Sequence, residues 1–366
     1  MHLSTRQLMG KKRRYNLVNH EILKQQMEES AQTRTTLSFY RYMPIAQPEG
    51  YRDQMYDAWE PLGVLGRIYV AEEGVNGQIS LPAAQMGALK STLSAFGLAG
   101  TRLNMAIEDD GKSFFMLKIK VRPKIVADGL DDRQIDWNKR GRHVDAAGFN
   151  ALTDQPETTV VDMRNHYESE VGHFENAICP DVETFRESLP LVAEMLADKK
   201  EQPVVMYCTG GIRCEKASAY LKSHGFREVY QLDGGIIEYA RQVEQNGLRN
   251  KFIGKNFVFD ERMGERISDD VIARCHQCGT PADTHVNCAN DACHILFIQC
   301  PTCGEAYRGC CSRQCAEFIA LPPDEQQRLR KTTVFNGTKF GKGRYKAHNP
   351  ASATLQYNNH SHTQGE

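Results

Sequence analysis

Residues 207–218 read YCTGGIRCEKAS, placing two cysteines, two glycines and an arginine between an apolar run and a helical pattern. The run PVVMY (203–207) predicts a short buried strand, and EKASAYLKSHG (215–225) predicts a helix closed by a glycine. Cys208 then falls on a strand-to-helix turn, where backbone N–H groups and the positive end of a helix dipole converge. That field favours a thiolate over a thiol, which makes Cys208 the candidate nucleophile. Gly210 and Gly211 would let the loop, with Thr209 and Ile212, close around whatever the sulfur carries, since glycine accepts positive φ; their plain reading is a simple turn. Arg213 could stabilise an anionic sulfur or salt-bridge to an acid, with the loop context favouring the first. Cys214 could resolve an oxidised Cys208 as a disulfide or pack inward as a helical residue.

A second constellation lies further on, where nine of the 12 cysteines fall between positions 275 and 315. Cys275 with Cys278 and Cys300 with Cys303 are two knuckle pairs, each followed by a glycine, Gly279 or Gly304, that lets backbone N–H groups turn toward sulfur. With Cys288, Cys293, Cys310, Cys311 and Cys315, two tetrahedral four-cysteine sites are arithmetically available. Structural zinc is the expectation and an iron–sulfur cluster the competitor, the latter offering an electron route that zinc lacks. Spacing alone does not assign cysteines to sites. The N-terminus lacks the apolar core of a signal peptide, and no stretch of about 18 apolar residues could span a bilayer. A cytoplasmic protein without membrane contact is therefore expected, and clustered cysteines there indicate metal or thiol chemistry rather than disulfides.

The elements that must position these groups follow from the pattern of the rest. A chain of 366 residues with 40% hydrophobic content can fill two or three cores, and a formal charge of -1 neither announces nor excludes a nucleic-acid partner. Residues 1–33 are an extension carrying KKRR (11–14) and a polar helical pattern. Residues 34–127 follow β-α-β-β-α-β order with an extra strand, which fits a ferredoxin-like α/β domain, a fold too widely used to name a function. A polar, charged linker is expected at 128–145. Alternating strands and helices over 146–246 predict a parallel sheet with active groups at the carboxyl ends of its strands. Residues 247–321 form the cysteine-rich, zinc-ribbon-like module. The stretch 322–366, with Arg328, Arg330, Lys331, Lys339, Lys342, Arg344 and Lys346, reads as a basic, disordered tail. Lys118, Lys120, Arg122 and Lys124 alternate with apolar residues on one predicted strand, so their charges share a face that either contacts RNA or is simply solvated. Phe39, Tyr40 and Tyr42 could stack bases or fill the core.

VDMRNHYESEVGHFENA (161–177), CTGGIRC (208–214) and LDGGIIEY (232–239) resemble, in order and spacing, the three signatures of a rhodanese domain. The resemblance implies that Cys208 carries sulfur as a persulfide in a cradle of N–H groups. It also implies that Asp162, Arg164 and Glu168 buttress the loop and that His173 is a hydrogen-bonded core group; Cys179 reads most simply as a buried small side chain. Cysteine phosphatases of a related fold place one more residue between cysteine and arginine; the shorter loop from Cys208 to Arg213 suits a smaller sulfur adduct.

GRIYVAEEGVNGQIS (66–80), DDGKSFFMLKIKVRPKIVADG (109–129), GKNFVFDERMGERIS (254–268) and CHQCG (275–279) extend the likeness to the bacterial tRNA uridine hydroxylases. That resemblance implies oxygen-dependent conversion of the wobble uridine to 5-hydroxyuridine, with Cys208 essential, molecular oxygen as co-substrate and tRNA as partner. A sulfur-donor protein is a second candidate partner. The residues supply no flavin or nicotinamide fingerprint and no facial-triad spacing to activate oxygen. A thiolate or persulfide could add to C6 of uracil and make C5 electron-rich. Two other readings stay open: a rhodanese-type sulfurtransferase, and an RNA-binding or redox adaptor without catalysis.

Overall fold

A computed structural model describes residues 18–131, 136, 139–337 and 344–345; the basic run 11–14 and Lys339, Lys342 and Lys346 lie outside them. The chain divides into two compact units, Met1–Ala127 with Asp260–Arg262, and Asp128–Phe259 with Met263–Glu366.

The first unit runs α1 (His20–Glu29), β1 (Arg34–Tyr42), α2 (Pro48–Trp59), β2 (Leu65–Ala71), β3 (Gly74–Pro82), α3 (Met86–Leu93), β4 (Asn104–Met105) and β5 (Leu117–Val121). The sheet order is β4-β1-β3-β2-β5, antiparallel except that β5 joins β2 in parallel. Its first four strands have the ferredoxin-like order expected from the sequence, and β5 is the extra strand. Alternation along β1, β2, β3 and β5 drives the packing: Leu37, Phe39, Ile68, Val70, Ile79 and Ile119 are buried together with Trp59 of α2 and Leu89 of α3. The ring of Phe39 meets Trp59 edge-on at 5.8 Å, so of the three aromatics proposed for stacking Phe39 is core.

The second unit contains β6 (Arg142–Val144), α4 (Ala146–Thr153), β7 (Thr159–Asp162), α5 (His166–Ser169), β8 (Gly172–Phe174), α6 (Phe185–Met195), β9 (Val204–Tyr207), α7 (Ile212–Ser223), β10 (Val229–Leu232) and α8 (Gly235–Asn246). There follow β11 (Phe252–Asn256), β12 (Glu265–Arg266), β13 (His285–Asn287), β14 (Leu296–Ile298), α9 (Pro301–Ala306), α10 (Arg313–Ile319) and α11 (Pro323–Leu329). Strands β6-β10-β9-β7 form an all-parallel sheet. Each residue of β7 and β9 is buried, as expected of strands covered on both faces. Tyr207, Tyr239 and Phe252 meet Phe174 edge-on and Phe149 lies tilted against it, joining α4, α8 and β11 to the sheet.

Two segments depart from expectation. Over its described residues the stretch 128–145 is less a linker than part of this unit: β6 is its edge strand, and Asp128 is buried in an ion pair with Lys216 of α7. A buried lysine needs its counter-charge, and that need ties the start of the segment to the helix behind the cysteine loop. The stretch from 322 is likewise not a disordered tail over its described part. Pro323–Leu329 is helical, Phe335 and Tyr345 pack on the cysteine cluster, and Tyr345 stacks on Phe297. Sparse apolar residues suffice because they land on a cysteine-lined surface already in place. No helix among the described residues is long and apolar enough to cross a membrane.

Candidate active site and metal centres

Strand β9 ends at Tyr207, and the chain turns through Cys208–Gly211 into α7. The left-handed backbone falls at Gly211 (φ 98°), which serves as the N-cap of α7 and donates its N–H to Cys208 Sγ at 3.1 Å. The loop is held from a second side by α8. Gly235 (φ 66°) lies so close that a Cβ there would sit 2.5 Å from the Cys208 carbonyl oxygen and 2.6 Å from that of Thr209. This approach lets Ile236 N–H donate to Cys208 O at 3.0 Å and Ile237 N–H to Thr209 O at 3.3 Å. This role of Gly235 is not among those inferred from LDGGIIEY; the GG pair at a strand-to-helix boundary is the signal the sequence offers for it.

Cys208 is wholly buried, and burial pushes its thiol up. The Cys214 S–H bond to its sulfur, the Arg213 charge and the N–H groups of Arg213 and Gly211 outweigh that and bring it down to about 6. Cys214 is pushed well above the usual thiol range by burial and by its bond to Cys208, so it stays protonated and acts as the donor of the pair. Cys179 is partly buried and pushed up to about 12, which leaves it an inert thiol.

The three acid and arginine residues expected to form one buttress separate into two ion pairs. Arg213 grips Glu168 with both nitrogens, Nη1–Oε1 2.6 Å and Nη2–Oε2 2.8 Å, and also donates to Thr209 Oγ1 at 3.3 Å. Glu168 in turn accepts the Asn165 N–H at 3.0 Å as the N3 member of a capping box on α5. Arg213 is therefore an anchored cation, fixed by a carboxylate while its charge still bears on the sulfur. Arg164 pairs instead with Asp162, Nε–Oδ1 2.9 Å and Nη2–Oδ2 2.6 Å, and donates to the Gly172 carbonyl. That pair holds β7 to β8 and does not touch Glu168's partner. His173 lies on β8 with burial holding it below the usual histidine range, so it is neutral.

The cysteine module assigns what spacing left open. Cys275, Cys278, Cys300 and Cys303 form one tetrad and Cys288, Cys293, Cys311 and Cys315 another, the sulfurs of each within 4.8 Å of one another. The hairpin β13–β14 lies in sequence between the two halves of the first set, whereas Cys288 and Cys293 of the second sit in the connection between its two strands. Sulfur–sulfur distances of 3.7 Å (Cys278–Cys300), 3.6 Å (Cys293–Cys311) and 3.8 Å (Cys311–Cys315) match the edges of a tetrahedron around a single ion. N–H groups of Cys303, Cys311 and Gly337 point at Cys300, Cys288 and Cys293 sulfurs, a donor set that favours thiolates. Cys310, among the nine candidate ligands, stands outside both tetrads; the adjacent Cys311 completes the second one, and the Cys310 carbonyl accepts from Gln277 and Gln299.

In the first unit Lys118 and Lys120 are exposed on β5 and Arg122 follows them, whereas Lys124 leaves the row and is 3.9 Å from Glu73.

Comparison with known proteins matches three family profiles: a UPF0176 acylphosphatase-like domain over 34–125, a rhodanese-like domain over 145–242 and a rhodanese C-terminal domain over 253–316. Among similar proteins, the tRNA uridine(34) hydroxylase of Enterobacter sp. (strain 638) is 54% identical over 333 residues, covering 90% of this chain and 95% of that protein. The proteins of that name from Photorhabdus laumondii and Yersinia pestis are 53% and 55% identical, over 93% and 89% of this chain and 97% and 92% of theirs. With the cysteine loop, the two sheets and the paired tetrads in place over that same length, the chain belongs to the tRNA uridine(34) hydroxylase family.

Proposed function

We propose that the protein hydroxylates the wobble uridine of tRNA at C5, with Cys208 supplying the attacking sulfur and molecular oxygen as co-substrate. The observation that carries this reading is a buried cysteine held ionised, at about 6, in an N–H cradle on a chain that shares its length with relatives of that name. Uracil is electron-poor at C6. Addition of sulfur there forms an S–C6 bond and delivers the electron pair to C5, the carbon to be oxidised. Oxygen transfer to C5, loss of the C5 proton and departure of sulfur from C6 restore the ring double bond and the sulfur anion. The sum consumes one oxygen molecule and two electrons from a reductant, one oxygen atom going to C5 and the other to water. Glu168 and Arg213 act as positioning residues that keep positive charge beside the sulfur.

Complete burial of Cys208 supports a persulfide as the attacking group, because its outer sulfur stands about 2 Å beyond Sγ. The same feature supports a second reading, rhodanese-type transfer of that sulfur to a thiol or cyanide, fed by a sulfur-donor protein. The place of action is the cytoplasm, where tRNA is modified. For the two tetrads we propose zinc: tetrahedral Zn–S bonds of about 2.3 Å put sulfurs about 3.8 Å apart, whereas a multi-iron cluster would hold them wider.

The test is nucleoside mass spectrometry of tRNA from cells lacking 5-hydroxyuridine, complemented with the protein or with Cys208→Ala, in air and without oxygen. The modification is expected with intact Cys208 in air alone. Full modification by Cys208→Ser would sink the nucleophile, and thiocyanate formation with no modified uridine would leave sulfur transfer as the function.

A further inference from the structure

The sheet of the first unit has a face that points away from α2 and α3. Strand register sets two rows across that face. One runs Lys118, Arg67, Gln78, Ser38; the other runs Lys120, Tyr69, Asn76, Tyr40. Neither row contains a carboxylate. Each begins with an exposed lysine on the edge strand, the two lying about 7 Å apart along it. Arg122 continues their alternation and lays its guanidinium over the Tyr69 ring, 5.6 Å from the centroid. A fixed cation and a π surface thus meet at one point, beside neutral amides that can donate and accept. The chain after β5 bounds the face at the hairpin end, where Asn76 donates to the Ile125 carbonyl at 3.2 Å.

We propose that this face binds single-stranded RNA, with Lys118, Lys120 and Arg122 on phosphates and Tyr69 and Tyr40 stacking unpaired bases. Charge complementarity selects a polyanion, and the aromatic rings select unpaired bases over a duplex, whose bases are already stacked on one another. The inference rests on the tRNA reading and deepens it, because the wobble base lies in a single-stranded loop.

The full-length protein would be titrated against a fluorescent stem–loop RNA carrying an anticodon-like loop, at several salt concentrations, with oligouridylate and duplex RNA as competitors. The double variant Lys118→Ala/Lys120→Ala should bind about tenfold more weakly, with a salt slope lower by about 1.4, since each lost phosphate contact on a single strand removes about 0.7. Tyr69→Leu should weaken binding by about tenfold at an unchanged slope. Wild-type affinity and slope in the lysine variant, whose exposed positions leave folding intact, would overturn the proposal while leaving the tRNA reading standing. Competition by duplex as strong as by oligouridylate would overturn its single-stranded part. Failure of the wild-type protein to bind the stem–loop would take down both readings.

Discussion

Cys208 illustrates how a buried thiol stays ionised. Removal from water opposes the charge, and a thiol donor, an anchored arginine and two backbone N–H groups together exceed that cost. The sign follows: with its midpoint at about 6, below the ordinary thiol value, the thiolate is the major form at pH 7 and is lost as pH falls through 6. The ultraviolet thiolate absorption of the protein minus that of Cys208→Ala should therefore titrate with a midpoint near 6. Cys214→Ala, which removes the S–H donor, should move that midpoint upward, and Cys214→Ser, which restores a donor, should return it toward the original. An unmoved midpoint in Cys214→Ala would show that the second thiol does not support the first. Glu168→Gln strips the partner from a buried Arg213 and should cost about 3–5 kcal/mol in urea unfolding of this unit.

At the scale of elements, the reactive loop is a strand end clamped between two helices. α7 supplies its N–H groups and α8 its backbone donors, and Gly235 is where α8 comes close enough to reach. Gly235→Ala adds a Cβ against two carbonyl oxygens at a positive φ, so the loop must shift. Modified uridine should fall at least tenfold, and the Cys208 midpoint should rise as its N–H bonds lengthen; retention of both would place the clamp elsewhere. The loop itself was legible in the sequence because everything that makes it a turn is local: an apolar strand, two glycines, a helix. The partner of Arg213 was not, because Glu168 lies 45 positions away and the candidate acids nearby, Asp162 among them, differ from it only in where the fold puts them. Helix α11 was missed for a related reason, since its sequence carries little apolar content of its own.

For the whole molecule, the two tetrads decide how the C-terminal module is held together. Few apolar side chains are available there, and the buried cysteines themselves form much of its core. Metal bound to the folded but not the unfolded chain adds its binding energy to stability. Elemental analysis should find two zinc ions per chain. Cys288→Ser should retain about one, whereas Cys310→Ser should keep both, since Cys310 lies outside the tetrads. Loss of an ion in Cys310→Ser would refute the assignment. Strong chelation should unfold this module first, seen as early proteolysis after residue 268 ahead of the parallel sheet.

The sequence by itself determined which residues are of types that could do chemistry and on what kind of element they sit. Period-2 patterning marked the strands, glycines marked the turns, and the alternation of strands with helices placed Cys208 at the carboxyl end of a parallel strand. These are properties of neighbouring residues, so the chain states them directly. Only the tertiary structure decided which acid holds Arg213, which of Cys310 and Cys311 joins a tetrad, and that Lys118 and Lys120 share rows with Arg67, Tyr69 and neutral amides while Lys124 turns away to Glu73. Each of those depends on contacts between residues distant in sequence. Such contacts are set by how buried charges find counter-charges and how strands choose their register, and neither is written in any local stretch of the chain.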